Sequence, residues 1–159
     1  MKLIEVKSGK DAKRFLDVAR KLYAGDPKFI CPLDSDIEAV FDPKKNAYFE
    51  HGDAIRWILL NDSGELMGRV AAFVNEKKAN TYEQPTGGMG FFECINDPQA
   101  AFKLFDTARQ WLQQKGMEAM DGPINFGEND MFWGLLVDGF IPPSYGMNYH
   151  HPYYQKFFE

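Results

Sequence analysis

A carboxylate inside an apolar run is the residue of this sequence best suited to acid–base chemistry. Glu93 lies in the run Phe91-Phe92-Glu93-Cys94. If its side chain points into a cleft among these neighbours, burial would raise its pKa and it could act as a general base. The alternative is a solvent-facing carboxylate on a strand, paired with a lysine or an arginine. The sequence leaves both interpretations open.

Residues near the end of the chain form a polar aromatic cluster, in which Asn148, Tyr149 and His150 are close in sequence to Tyr153 and Tyr154. Such a cluster either lines a pocket or covers a sheet edge. The adjacent His150 and His151 would point to opposite faces of an extended segment, so we expect no metal site there.

Composition sets the class of protein. The chain has 159 residues, 45% of them hydrophobic, with 14 Phe. This apolar content predicts one globular domain with its own core. The net charge of -5 and the lack of a basic cluster argue against a nucleic-acid partner or an anionic membrane surface. Cys31 and Cys94 are expected to be buried, reduced thiols. Without a signal segment or a membrane-length apolar run we expect a cytoplasmic protein.

The first half of the chain predicts a strand, two helices and a hairpin. A short strand at 3–6 precedes a helix whose capping box begins at Ser8. A second helix is expected over 34–41. The segments 54–60 and 66–74, joined by Asn-Asp-Ser-Gly, are typical of an antiparallel hairpin.

The second half alternates strands and helices. The glycines at 87–90 are interpreted as a flexible turn or bulge before a strand at 89–95. A helix begins at Pro98, and strand 117–124 and helix 128–137 follow. We expect the hairpin and the strand at 89–95 to share one sheet. The helix should pack on that sheet with Phe105 buried.

The C-terminal residues 152–159 begin like a helix and carry several aromatic side chains. These side chains could dock on the domain's own sheet. They could instead mark an interface, which predicts a symmetric homodimer with Tyr153, Phe157 and Phe158 at the contact. A downstream second domain is a further possible partner.

The order of elements resembles the GNAT acyltransferase fold, an α/β fold with a mixed, mainly antiparallel twisted sheet flanked by helices. Several stretches also resemble the N-terminal half of longer bacterial GNAT-like proteins. They are 26–27, 46–49, 64–72, 91–93, 122–125 and 136–140. The resemblance implies acyl-CoA-dependent N-acyl transfer to a small-molecule or amine substrate. Glu93 would then be the base, and Cys94, Ile95 and Asn96 at the end of the strand would contact the cofactor.

The sequence departs from the family pattern at two points. The family's glycine-rich loop for the cofactor diphosphate is replaced by 96–101, where Pro98 lacks an N–H and Asp97 adds negative charge. The family's proton-donating tyrosine falls at Leu135, and Tyr145 or Tyr149 would have to substitute. We therefore expect acetyl-CoA to bind weakly and the chain to be catalytically incomplete alone. The alternative is an interaction or substrate-binding module without catalysis.

Overall fold

The computed structural model of the protein describes residues 1–127 and 134–159. Within these residues no helix combines the length and the apolar character needed to cross a membrane. The elements, in chain order, are strand β1 (Lys2–Glu5), helices α1 (Gly9–Leu22) and α2 (Asp34–Val40), a 3-10 turn (Ala47–His51), strands β2 (Gly52–Leu60) and β3 (Leu66–Asn75), helix α3 (Glu76–Ala79), strand β4 (Thr86–Cys94), helix α4 (Pro98–Gln114), strand β5 (Ala119–Asp121), a 3-10 turn (Pro152–Tyr154) and helix α5 (Gln155–Phe158).

Five strands form one sheet in the order β1-β2-β3-β4-β5. Neighbouring strands are antiparallel except β4 and β5, which are parallel. The predicted mixed, mainly antiparallel sheet with flanking helices is therefore confirmed. The predicted sharing of one sheet by the hairpin and β4 is confirmed as well.

Helices cover both faces of the sheet. Successive residues of β3 alternate between the two sides, so Ala71 and Phe73 pack with α1 whereas Val70 and Ala72 pack with α4. Side-chain caps fix where α1 and α4 begin. The Ser8 hydroxyl accepts from the Asp11 N–H, and the Asp97 carboxylate accepts from the Gln99 N–H.

Phe105 of α4 is half-buried rather than buried. Its ring stacks on Phe92 at 4.7 Å between centroids and meets Phe158 edge-on at 4.9 Å. It therefore lies at the margin of the core, beside the fully buried Leu104. The prediction that α4 packs on the sheet is confirmed.

A β-bulge in β4 decides which face its later residues occupy. Arg69 pairs with Glu93 but Ala71 pairs with Gly90, so two residues of β4 oppose the single residue Val70. Phe91 takes up the extra residue with a φ of 51°. This shift by one position turns Glu93 to the α1 face, whereas regular alternation would have put it under α4.

Of the two interpretations of the glycine run, the turn is wrong, because Gly87, Gly88 and Gly90 lie inside β4. The bulge occurs directly after Gly90. A Cβ on Gly88 would come within 2.7 Å of the Phe73 ring, and one on Gly90 would collide with the carbonyl of Ile124. These glycines therefore serve close packing within the sheet.

The segment after α4 is less regular than predicted. Strand β5 stops at Asp121, and beyond it the Ile124 N–H still donates to the Met89 carbonyl at 2.9 Å. The predicted helix 128–137 falls largely on residues 128–133, which lie outside the described residues. Residues 134–137 are not helical.

Candidate functional site

A cavity of about 400 Å³ opens beside β4, beyond the point where β5 has separated from it. A volume of this size suits a small-molecule ligand. Its wall combines one face of α1 and α2, the end of β4 and the segment 135–150. The lining is mainly apolar and includes Ala19, Phe29, Ile30, Leu33, Ile37, Val40, Phe91, Leu135, Met147 and Phe158.

Glu93 lies at this cavity and is 8% exposed. Two tyrosine hydroxyls, from Tyr23 on α1 and Tyr154 at the C-terminus, donate to its Oε2 at 2.7 Å each. Its Oε1 is 3.8 Å from Nη2 of Arg69, which is longer than a hydrogen bond. Within the described residues Oε1 accepts no hydrogen bond, so a ligand in the cavity could donate to it.

Burial sets the protonation chemistry of this carboxylate. Loss of hydration raises the pKa of Glu93, while the nearby charge of Arg69 and the two tyrosine hydroxyls oppose that rise. Arg69 itself is buried and donates to the Phe15 carbonyl at 2.9 Å. Its guanidinium lies 4.8 Å from the Phe15 ring centroid. A buried carboxylate with a raised pKa can accept a proton and later return it.

Tyr145 and Tyr149 line the same cavity, but neither hydroxyl bonds to Glu93. Tyr145 is 82% exposed and donates to Asp36 at 2.9 Å. Tyr149 is buried and donates to Asp26 at 2.8 Å. Burial raises the pKa of Tyr149 to about 12. The hydroxyls that contact Glu93 come from Tyr23 and Tyr154 instead.

The open edge of β4 at Cys94 is covered by the C-terminal residues 152–158. The Cys94 N–H donates to the Tyr154 hydroxyl at 2.7 Å, and the Tyr153 hydroxyl donates to the Cys94 carbonyl at 2.8 Å. Both backbone groups of Cys94 are thus satisfied within the chain. Burial also raises the pKa of the Cys94 thiol to about 12, which makes it a poor nucleophile. Cys31 is exposed, so the prediction that both thiols are buried is wrong for Cys31.

The other two candidate cofactor contacts differ in their surroundings. The Ile95 N–H donates to the Met67 carbonyl at 2.9 Å, while Asn96 is exposed. At the start of α4, Pro98 has no N–H and the Gln99 N–H is taken by Asp97. The residues in this arrangement therefore do not fit an acyl-CoA diphosphate and its extended arm.

The histidines take part in aromatic stacking. His150 is buried, stacks on Tyr154 at 5.1 Å and accepts from the Leu136 N–H at 2.7 Å. His151 stacks on Tyr23 at 4.4 Å. No group of His, Cys, Asp or Glu side chains suited to a metal ion occurs in the part of the chain that the structure describes.

Sequence reasoning missed three residues of this site, Tyr23, Arg69 and Asn125. It placed Tyr154 in the polar aromatic cluster near the end of the chain but did not relate it to Glu93, from which it is 61 residues away. Arg69 could have been found as an arginine embedded in an apolar strand, since such a charge needs a partner. Tyr23, 70 residues from Glu93, and Asn125 carry no such signal in the sequence.

Comparison with known proteins gives two curated relatives, both bacterial. The chain is 31% identical over 155 residues to a protein of Caulobacter vibrioides (strain NA1000 / CB15N) named bacterial ceramide synthase, covering 97% of this chain and 40% of that protein. It is 31% identical over 150 residues to Protein YghO of Escherichia coli (strain K12), covering 94% of this chain and 38% of that protein. The chain thus spans about two-fifths of the length of the curated relatives it matches.

No family model matches the sequence. Among solved structures, a putative acetyl transferase from Pyrococcus furiosus is similar with a TM-score of 0.48 and 13% identity, over 78% of this chain and 83% of that one. The chain is therefore similar in sequence to part of each of two longer bacterial proteins.

Proposed function

We propose that this chain is the acceptor-binding part of an acyl-CoA-dependent N-acyltransferase, and that its cavity holds a primary amine carried on a long apolar chain. The observation that carries the proposal is a buried carboxylate at the wall of a mainly apolar cavity, one oxygen of which lies 3.8 Å from Arg69 and accepts no hydrogen bond among the described residues. The apolar lining suits a hydrocarbon chain, and Glu93 suits the amine. One relative is named a ceramide synthase, and ceramides are N-acylated long-chain amines.

Glu93 is the proposed base. The carboxylate would accept a proton from the amine, whose lone pair is then free to attack an acyl carbonyl. Arg69 and the hydroxyls of Tyr23 and Tyr154 would hold the carboxylate in place and moderate its raised pKa. Acyl-CoA would supply the acyl group as a thioester. Because the β4 edge and the start of α4 do not fit that cofactor, no further step is assigned to this chain.

The second candidate is a binding module without catalysis. The observation that favours it is the closed edge at Cys94, where two tyrosine hydroxyls occupy both backbone groups. Such a module would hold the same amine but would not bind an acyl donor even when the amine is present.

Calorimetric titration with dodecylamine, below its micellar concentration, tests the proposal. We expect binding, with affinity lowered about tenfold or more in Glu93→Gln, because a charge-assisted hydrogen bond is lost. Glu38→Gln is the matched control, since Glu38 pairs with Arg56 and does not line the cavity. No binding, or equal affinity in Glu93→Gln, would contradict the proposal.

Calorimetric titration with acetyl-CoA separates the acyltransferase from the binding module. Acetyl-CoA alone should bind weakly, with a dissociation constant above the low micromolar range. For an acyltransferase, saturating dodecylamine should strengthen that binding, whereas a binding module should show no acetyl-CoA binding with or without the amine.

A further inference from the structure

The side chains of the cavity wall differ in exposure between its interior and its mouth. Three apolar residues of the wall are exposed over more than half of their surface: Ile30, Leu33 and Met147, which we call the rim. Glu93 belongs to the buried part of the same wall. Because exposed lining residues mark the mouth of a cavity and buried ones its interior, the carboxylate lies inside and the rim lies at the mouth.

Two polar side chains at the mouth bond to each other. Tyr145 and Asp36 both line the cavity, and the Tyr145 hydroxyl donates to the Asp36 carboxylate at 2.9 Å. This bond joins α2 to the segment 135–150, which form two sides of the cavity. The rim residues carry no hydrogen-bonding side chain, so beside this bond the mouth presents apolar surface to water. Exposed apolar surface next to an opening commonly belongs to a ligand site.

We infer that the amine binds with its nitrogen inside the cavity at Glu93 and its chain leaving through the mouth, where the rim contacts the distal methylene groups. This inference rests on the proposed function. The rim residues then determine specificity, because a chain too short to reach the mouth gains nothing from them. Complete burial of one methylene strengthens binding about fourfold, and burial of one side of it about twofold. Several methylenes on the rim therefore favour long-chain amines about tenfold or more.

Calorimetric titration with hexylamine and dodecylamine, each below its micellar concentration, tests the inference. The rim variant combines Ile30→Ser, Leu33→Ser and Met147→Ser. We expect its preference for dodecylamine to be about tenfold or more below that of the wild-type chain, with an unchanged affinity for hexylamine. The matched control combines Val137→Ser and Ile141→Ser, because both residues are exposed and apolar but do not line the cavity. If the rim variant does not fold, Leu33→Ser alone should show a smaller change of the same kind.

The thiol of Cys31 provides a second readout that needs no change in the rim. Cys31 lines the cavity next to Ile30 in the chain and is exposed, whereas Cys94 is buried. The thiol reagent DTNB should therefore react with Cys31 in the folded protein, and Cys31→Ser should abolish that reaction. Saturating dodecylamine should slow the reaction severalfold, because its distal chain covers the mouth. Saturating hexylamine should leave the rate unchanged.

The outcomes distinguish this inference from the proposed function. If Glu93→Gln weakens binding of both amines but the rim variant keeps the preference for dodecylamine, the inference is wrong and the proposed function stands. Equal losses of both amines in the rim variant would place the nitrogen at the mouth, near Asp36, and would also overturn the inference. If the wild-type chain binds neither amine, both are wrong. A loss of chain-length preference in the rim variant, with Cys31 protected by dodecylamine and not by hexylamine, supports the inference.

Discussion

Burial disfavours the ionised form of the Glu93 carboxyl group. The free energy of unfolding of the protein should therefore depend on pH. The pKa of Glu93 in the folded protein is raised above the usual 4.5. As pH rises from about that value, the unfolded chain loses its proton first, so the folded state binds more protons. The free energy of unfolding must then fall until pH exceeds the folded pKa.

We expect this fall in stability to be missing in Glu93→Gln, which cannot ionise. Denaturant unfolding of both proteins at a series of pH values from about 4 to 9 measures it. The variant loses contacts with Arg69 and two tyrosines, so its stability is expected to be lower at low pH, but the gap should narrow as pH rises. Parallel curves would show that the folded state does not shift the pKa of Glu93.

Sequence reasoning reached Glu93 but not the site around it. The apolar run at 91–94 indicated a carboxylate that burial could perturb. The face it occupies depends on the bulge at Phe91. The glycines at 87–90 indicated a bulge as one alternative, but not its position or its effect on Glu93. The tyrosines that bind it, Tyr23 and Tyr154, come from opposite ends of the chain, so only the tertiary structure brings them together.

At the scale of elements, α4 and the sheet depend on each other for stability. Leu104 is fully buried in the core between α4 and β3, whereas the neighbouring Phe105 is half-buried at its edge. We expect Leu104→Ala to lower the free energy of unfolding by about 2–5 kcal/mol, since it leaves a cavity in close-packed surroundings. Phe102→Ala, on the exposed side of the same helix, should change it by less than about 0.5 kcal/mol.

Urea denaturation of Leu104→Ala and Phe102→Ala measures these two changes in the free energy of unfolding. Similar midpoints for Leu104→Ala and the wild-type chain would contradict the packing of α4 described here. A large loss of unfolding free energy in Phe102→Ala would mean that this exposed ring makes stabilising contacts that the structure does not describe.

Elements with local signals were predictable and elements set by packing were not. The caps at Ser8 and Asp97 fixed the starts of α1 and α4 from short-range chemistry alone. The glycines of β4 suggested a turn because glycine is common in turns. In the structure they are strand residues, because Phe73 and Ile124 leave no room for side chains there.

For the whole molecule, the structure corrects the reasoning behind the predicted homodimer. That prediction assumed that the C-terminal aromatic side chains lack a partner within the domain. Tyr154 is 1% exposed, Phe157 is buried, and Phe158 meets Phe92 and Phe105. These rings complete the core on the α4 side, so docking on the chain's own sheet is the correct alternative and self-association has no support from them.

Because the C-terminal residues dock beside Glu93, the site is built from residues at both ends of the chain. Tyr154 connects the last residues to Cys94 and Glu93 through one hydroxyl, and His151 bonds to the Leu22 carbonyl at 3.1 Å on α1. The cavity wall therefore contains residues from α1 to the C-terminus, and a change at either end should alter it.

The most direct test of the amine site is a crystal structure of the chain with dodecylamine bound. The account predicts that the hydrocarbon chain lies in the apolar cavity beside β4, with the amine nitrogen within about 3.2 Å of a Glu93 oxygen. An amine bound elsewhere, or a cavity without ligand at saturating dodecylamine, would contradict it.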